Sequence, residues 1–78
     1  MEPEDAFGAI LRERRKLRGL SQEKLALEAG IERNYISLLE LGKNSASLKM
    51  LFKLAAVLEI SPSELLRQVE ELQRQAVD

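Results

Sequence analysis

Residues 25–39, LALEAGIERNYISLL, carry two apolar stripes of helical period separated by a break of about three residues centred on Gly30. Leu25, Ala26 and Ala29 repeat at helical spacing before the break, and Ile36 and Leu39 repeat after it. So short a connection leaves the backbone few options. Gly30 adopts a positive φ at no steric cost, and the second helix then leaves the first at a steep, near-perpendicular angle. Ala26 is small where the two helices must cross closely, and Ile36 is the apolar partner expected opposite it. The stretch from about residue 21 to about residue 40 therefore predicts a helix-turn-helix.

The flanking segments are helical too. Phe7, Ile10, Leu11 and Leu17 mark the stripe of a first helix over roughly residues 4–18, closed by Gly19. Ser21 is placed to cap the second helix, and the third starts at about Glu32. After the polar turn Gly42 to Ala46, Ser47 caps a fourth helix with Leu48, Leu51, Leu54, Ala55 and Leu58 on one face. Ser61-Pro62-Ser63-Glu64 reads as a capping box with proline at the first helical position, opening a fifth helix over about residues 62–76. No segment alternates with period two. The expectation is an all-α, five-helix single domain over residues 1–78.

Composition narrows the function classes. The 78 residues include no cysteine and no histidine, which removes disulfides, thiol nucleophiles and Cys/His zinc sites; neither a metal nor a cofactor is expected. There is no phosphate-binding glycine loop and no pair of carboxylates facing a plausible cleft, so an enzyme is not expected, nor is a small-molecule ligand evident. No apolar run is long enough to span a bilayer, and the acidic N-terminus is unlike a secretion signal, so no membrane role is expected. The net charge of −1 hides polarity: residues 12–49 hold nine basic against five acidic side chains, while Glu2, Glu4, Asp5, Glu59, Glu64, Glu70, Glu71 and Asp78 compensate at the ends. Such a chain presents a basic face at near-zero total charge; the plainer alternative is a solvated helix surface. The third helix opens with Glu32, Arg33, Asn34 and Tyr35, four side chains that make directional polar contacts, ahead of the apolar Ile36 and Leu39.

Residues 19–66 resemble the helix-turn-helix domains of lambdoid phage repressors and Cro proteins, and equally the controller proteins of restriction–modification systems, together the XRE-type regulators. The resemblance runs from about residue 10 to residue 66. It rests on Ser21-Gln22, Leu25-Ala26, Ala29-Gly30, Tyr35-Ile36-Ser37, Glu40 with Gly42, and Ile60-Ser61 at fixed spacing. It implies a compact lambda-repressor-like fold, a bacterial or phage-derived cytoplasmic protein, and double-stranded DNA as partner. On that resemblance the third helix enters the major groove, with Glu32, Arg33, Asn34, Tyr35 and Ser37 toward base edges. Gln22 then approaches a phosphate at the start of the second helix, and Lys43, Asn44, Ser45 and Lys49 contact the DNA backbone. Alternatives stay open: Arg33 as a phosphate contact, Asn34 as a local cap, Tyr35 packed on the protein. Arg15 and Glu40 align with positions that pair with each other, implying a structural ion pair.

Three positions depart from the family pattern. Glu32 stands where Ser, Thr or Asp usually caps the recognition helix, Ala46 replaces a common proline, and Glu59 replaces a common glycine. Along the last helix, Leu65, Val69, Leu72 and Ala76 form a stripe; Leu72, Ala76 and Val77 extend past the needs of a small core. They are expected at the interface of a homodimer, the alternative being a frayed end. The function implied is a dimeric, sequence-specific transcriptional regulator on a pseudo-palindromic operator, by default an autoregulated repressor. The rival is a protein-interaction module or antitoxin that keeps the fold.

Overall fold

The computed structural model describes residues 1–76; Val77, expected at the dimer interface, lies outside the described residues. Five helices follow in order: α1 (Pro3–Leu17), α2 (Gln22–Ala29), α3 (Arg33–Glu40), α4 (Leu48–Leu58) and α5 (Pro62–Gln75). There is no strand among the described residues. The Oγ atoms of Ser21, Ser47 and Ser61 accept from the backbone N–H groups of Lys24, Met50 and Glu64 at 3.0, 3.1 and 3.1 Å. Each such cap stabilises its helix by about 1 kcal/mol relative to alanine. Gly30 takes φ +68°, as the short connection between α2 and α3 demands.

Two local expectations need correction. The capping box of α5 is only half made. The Glu64 carboxylate, rather than returning to the Ser61 backbone, accepts from Arg67 Nε and Nη2 at 2.8 Å each and from Gln68 at 3.1 Å. A guanidinium fork one turn away offers two charge-assisted bonds where the backbone offers one neutral donor. The Arg67 bond, then that of Gln68, lowers Glu64 from the usual 4.5 to about 2. Its contribution to folding is thus fully present above pH 4.5 and fades as pH falls toward 2. Leu17, expected inward, is 67% exposed; the inward position of the last α1 turn is held by Arg15 at 8%. Glu59 adopts φ +58°, the left-handed geometry anticipated from the glycine that the family resemblance implies there.

Every helix contributes to one core. Leu11 of α1, Leu25 of α2, Ile36 and Leu39 of α3, Leu54 and Leu58 of α4 and Leu65 of α5 are fully buried. α1 packs against α3 and α5, α2 against α3 and α4, and α4 against α5. The α1–α3 crossing is closest at Gly8, which is buried. A methyl group there would overlap the Leu39 carbonyl oxygen and sit 2.8 Å from that of Glu40. Both obstacles are backbone, so α1 could accept a side chain only by moving off α3.

Gly8→Ala is therefore expected to destabilise by about 1–3 kcal/mol from overpacking, exceeding the roughly 1 kcal/mol gained in helix propensity. A thermal melt should show a lower midpoint. A midpoint equal to or above the wild type would mean that the crossing is looser than described.

Candidate nucleic-acid interface

The interface is assembled around one buried ion pair. Arg15 Nε and Nη2 donate to the two oxygens of Glu40 at 2.6 and 3.0 Å, and Nη1 donates to the Leu20 carbonyl at 2.8 Å. Their side chains are only 9% and 4% exposed. Gln22 Nε2 donates to the same Glu40 carboxylate at 3.0 Å. One network thus joins the end of α1, the connection to α2, the first residue of α2 and the last residue of α3. It fixes where the N-terminus of α2 sits relative to α3. The pairing implied by the family resemblance is present, with Gln22 as an additional member.

On that frame α3 turns Ile36 and Leu39 fully inward. Glu32, Arg33 and Asn34 are exposed, and Ser37 is half-buried beside them. Arg33, Asn34 and Ser37 line one shallow concavity. Glu32 occupies the N-cap position without a side-chain cap hydrogen bond, so the leading amides of α3, at Arg33 and Asn34, receive none from it. The helix tip therefore keeps both its polar side chains and its free N–H groups for an external partner, and the partial positive charge there favours an anion.

Tyr35 behaves differently from its neighbours. Its ring is half-buried against the core, and its hydroxyl donates to the Ser45 carbonyl at 3.0 Å. That bond ties the turn after α3 back to the start of α3. Within the turn, Gly42 N–H donates to Leu39 and Lys43 N–H to Leu38, at 3.1 and 3.0 Å. Asn44 Oδ1 accepts from Ser45 N–H at 3.1 Å. Lys43, Asn44 and Ser45 in the turn after α3 and Lys49 in the first turn of α4 are all exposed. Leu38, which sequence reasoning passed over, lies one turn after Asn34 and is partly exposed without belonging to the core. Its apolar character hid it among the core positions of the pattern.

Cations divide into two populations. Arg18, Lys24, Arg67 and Arg74 pair with Glu59, Glu28, Glu64 and Glu70/Glu71. Arg12, Arg14, Lys16, Arg33, Lys43, Lys49 and Lys53 have no carboxylate at ion-pair distance among the described residues. The basic side chains of α5 are thus locally neutralised, while those flanking α3 are free to act outward.

A helix-turn-helix family profile, HTH_3, matches residues 11–65. The chain belongs to this XRE-type helix-turn-helix family. It is 42% identical over 60 residues to the HTH-type transcriptional regulator PrtR of Pseudomonas aeruginosa, which covers 77% of this chain but only 23% of PrtR. To the control protein C.MunI of a Mycoplasma species it is 41% identical over 66 residues, 83% of this chain and 89% of C.MunI. Among solved structures, the restriction-modification controller C.AhdI of Aeromonas hydrophila superposes with a TM-score of 0.77 at 45% identity, covering 80% of this chain and 94% of that one. The biofilm master regulator SinR, solved in complex with DNA, gives 0.74 at 34% identity over 77% of this chain and 97% of that one.

The ion-pair network makes a sharp prediction. Arg15→Met strands the Glu40 carboxylate and the Leu20 carbonyl and should cost roughly 3–5 kcal/mol. Arg15→Met with Glu40→Leu should recover a large part of that loss in a urea titration. A single variant costing under about 1 kcal/mol would show that the pair behaves as a surface bridge.

Proposed function

We propose that the chain is a DNA-binding transcriptional regulator that reads a short pseudo-palindromic operator as a homodimer. The observation that carries this is the tip of α3: polar side chains and unsatisfied amides face outward on a helix whose other face is locked in the core. Laid in a major groove, Arg33 matches the two acceptors of a guanine and Asn34 the donor and acceptor of an adenine. Ser37 reaches either a base edge or a phosphate. Leu38 supplies apolar surface suited to a thymine methyl. Glu32 is acceptable only near a cytosine amino group, so it discriminates rather than strengthens. Gln22, Lys43, Asn44, Ser45 and Lys49 hold the DNA backbone and set the register. Tyr35 sits at the edge of this surface, and its bond to Ser45 holds the Asn44–Ser45 turn against α3. The similarity to the controller proteins C.MunI and C.AhdI over most of their length and the DNA-bound SinR structure support this reading.

Dimerisation follows from size. An eight-residue α3 spans about 12 Å, and the domain is only 23 Å across its shorter axes. Two half-sites about 34 Å apart need two copies. Leu48 and Phe52 of α4 and Leu66 of α5 offer exposed apolar surface for a two-fold contact, at 71%, 55% and 46% exposure. Leu72 and Ala76, the positions first expected, are half-buried, and Leu72 already packs on its own core. Leu48, Phe52 and Leu66 therefore support the contact better. Repression by occupying an operator in its own control region is the simplest use of such a dimer.

Selection from a random duplex pool should enrich a two-fold site with half-sites about ten base pairs apart. On that site Arg33→Ala should cost about 1–3 kcal/mol and relax preference at one base position, whereas Gln22→Ala should weaken all sequences alike. Equal weakening of every sequence by both variants would refute the division between base and backbone contacts. Phe52→Glu should sediment as a folded monomer, while Leu72→Glu should chiefly lower the melting temperature; a Phe52→Glu dimer would place the interface elsewhere.

A further inference from the structure

The notch between α1, α2 and α3 is lined by Arg12, Arg15, Gln22, Ser37, Glu40 and Leu41. Its floor is electrically quiet. The Glu40 carboxylate is taken up by donors from Arg15 and Gln22, and the Arg15 charge is matched by that carboxylate. Arg12 is different: it is exposed, stands on the rim, and has no carboxylate at ion-pair distance among the described residues. The notch thus carries one uncompensated positive charge, on a long side chain able to swing across its mouth. Opposite it lie Gln22, with amide capacity beyond its bond to Glu40, and the half-buried Ser37 hydroxyl.

A guanidinium, an amide and a hydroxyl around a small concave opening make a donor set for one tetrahedral oxyanion. We propose that Arg12 grips a DNA backbone phosphate at this notch together with Gln22, so that α1 takes a direct part in DNA binding. The proposal rests on the DNA-binding reading above. It assigns Arg12 to positioning the duplex, with no part in base choice, because the notch is lined by Gln22 and not by Arg33 or Asn34. Among the arginines of α1 and its C-cap, each has its own fate: Arg15 is buried in the network, Arg18 is bridged to Glu59, and Arg14 keeps its Nε buried without a partner in the described residues. Arg12 alone of these both lines the notch and retains its full charge for a ligand.

The test is equilibrium binding of the full chain to a fluorescent mixed-sequence duplex of about 30 base pairs across a salt series, since each phosphate contact contributes about −0.9 to the slope of log K against log salt. Arg12→Gln should flatten the slope by about one contact and weaken binding roughly tenfold at low salt, equally for every duplex. Arg12→Lys should keep the slope. Arg74→Gln, which removes the same formal charge from α5, should change neither quantity. Melting temperatures of the Arg12 variants should match the wild type, because the side chain is exposed. An Arg12→Gln protein with the slope and affinity of Arg74→Gln overturns the proposal while leaving DNA binding intact. Absence of salt-dependent binding by the wild type itself overturns the DNA-binding reading, and this proposal with it.

Discussion

The Arg15–Glu40 ion pair is the constraint on which the arrangement of the molecule turns. A charge pair with side chains 9% and 4% exposed survives only when its hydrogen-bonding capacity is met, and here the surroundings meet it. The guanidinium fork is shared between Glu40 and the Leu20 carbonyl, and Gln22 adds a further donor to Glu40. Because these groups come from α1, the α1–α2 connection, α2 and α3, satisfying them sets the angle between the two helices of the motif. Gly8 enforces the same geometry from the other side by letting α1 touch the α3 backbone. An apolar core of leucines packs in many arrangements of similar energy; a directional network of this kind selects one of them.

The same economy governs the surface. A chain with net charge −1 is a poor candidate for a polyanion partner if charge is averaged. Locally it is not averaged. Carboxylates sit beside the cations of α5, and the short range of screened interactions confines their effect to that side. Around α3 the cations stand without such partners. In the proposed complex, this is the face that a DNA duplex would meet.

Much of this was legible in the sequence because it depends on local rules. Gly30 had to break the helix, Ser21, Ser47 and Ser61 had to cap, and Ile36 and Leu39 had to face inward. The Arg15–Glu40 pair came from the family resemblance, since no local pattern links residues 25 positions apart. Other features depend on tertiary contact and left no local signal. Gly8 looked like an ordinary helical position, and only the approach of α3 explains it. Ser61-Pro62-Ser63-Glu64 had every element of a capping box, yet Arg67 competed for the carboxylate. Leu38 and Leu72 show the limit: Leu38 was not singled out by the apolar period and is partly exposed, whereas Leu72, expected at a partner, also packs on its own core. The same limit applied to Arg12, whose importance depends on which helices border it.

We propose that the tip of α3 and the turn following it form the surface that receives DNA. Amide chemical-shift mapping of the isotope-labelled chain during titration with a mixed-sequence duplex tests this directly. Perturbations are expected to concentrate at Gln22 to Lys24, Arg33 to Leu38 and Lys43 to Ser45, with the exposed positions of α5 largely silent. Perturbations gathered on α5 or the Leu48–Phe52 face, with the α3 tip unmoved, would contradict it.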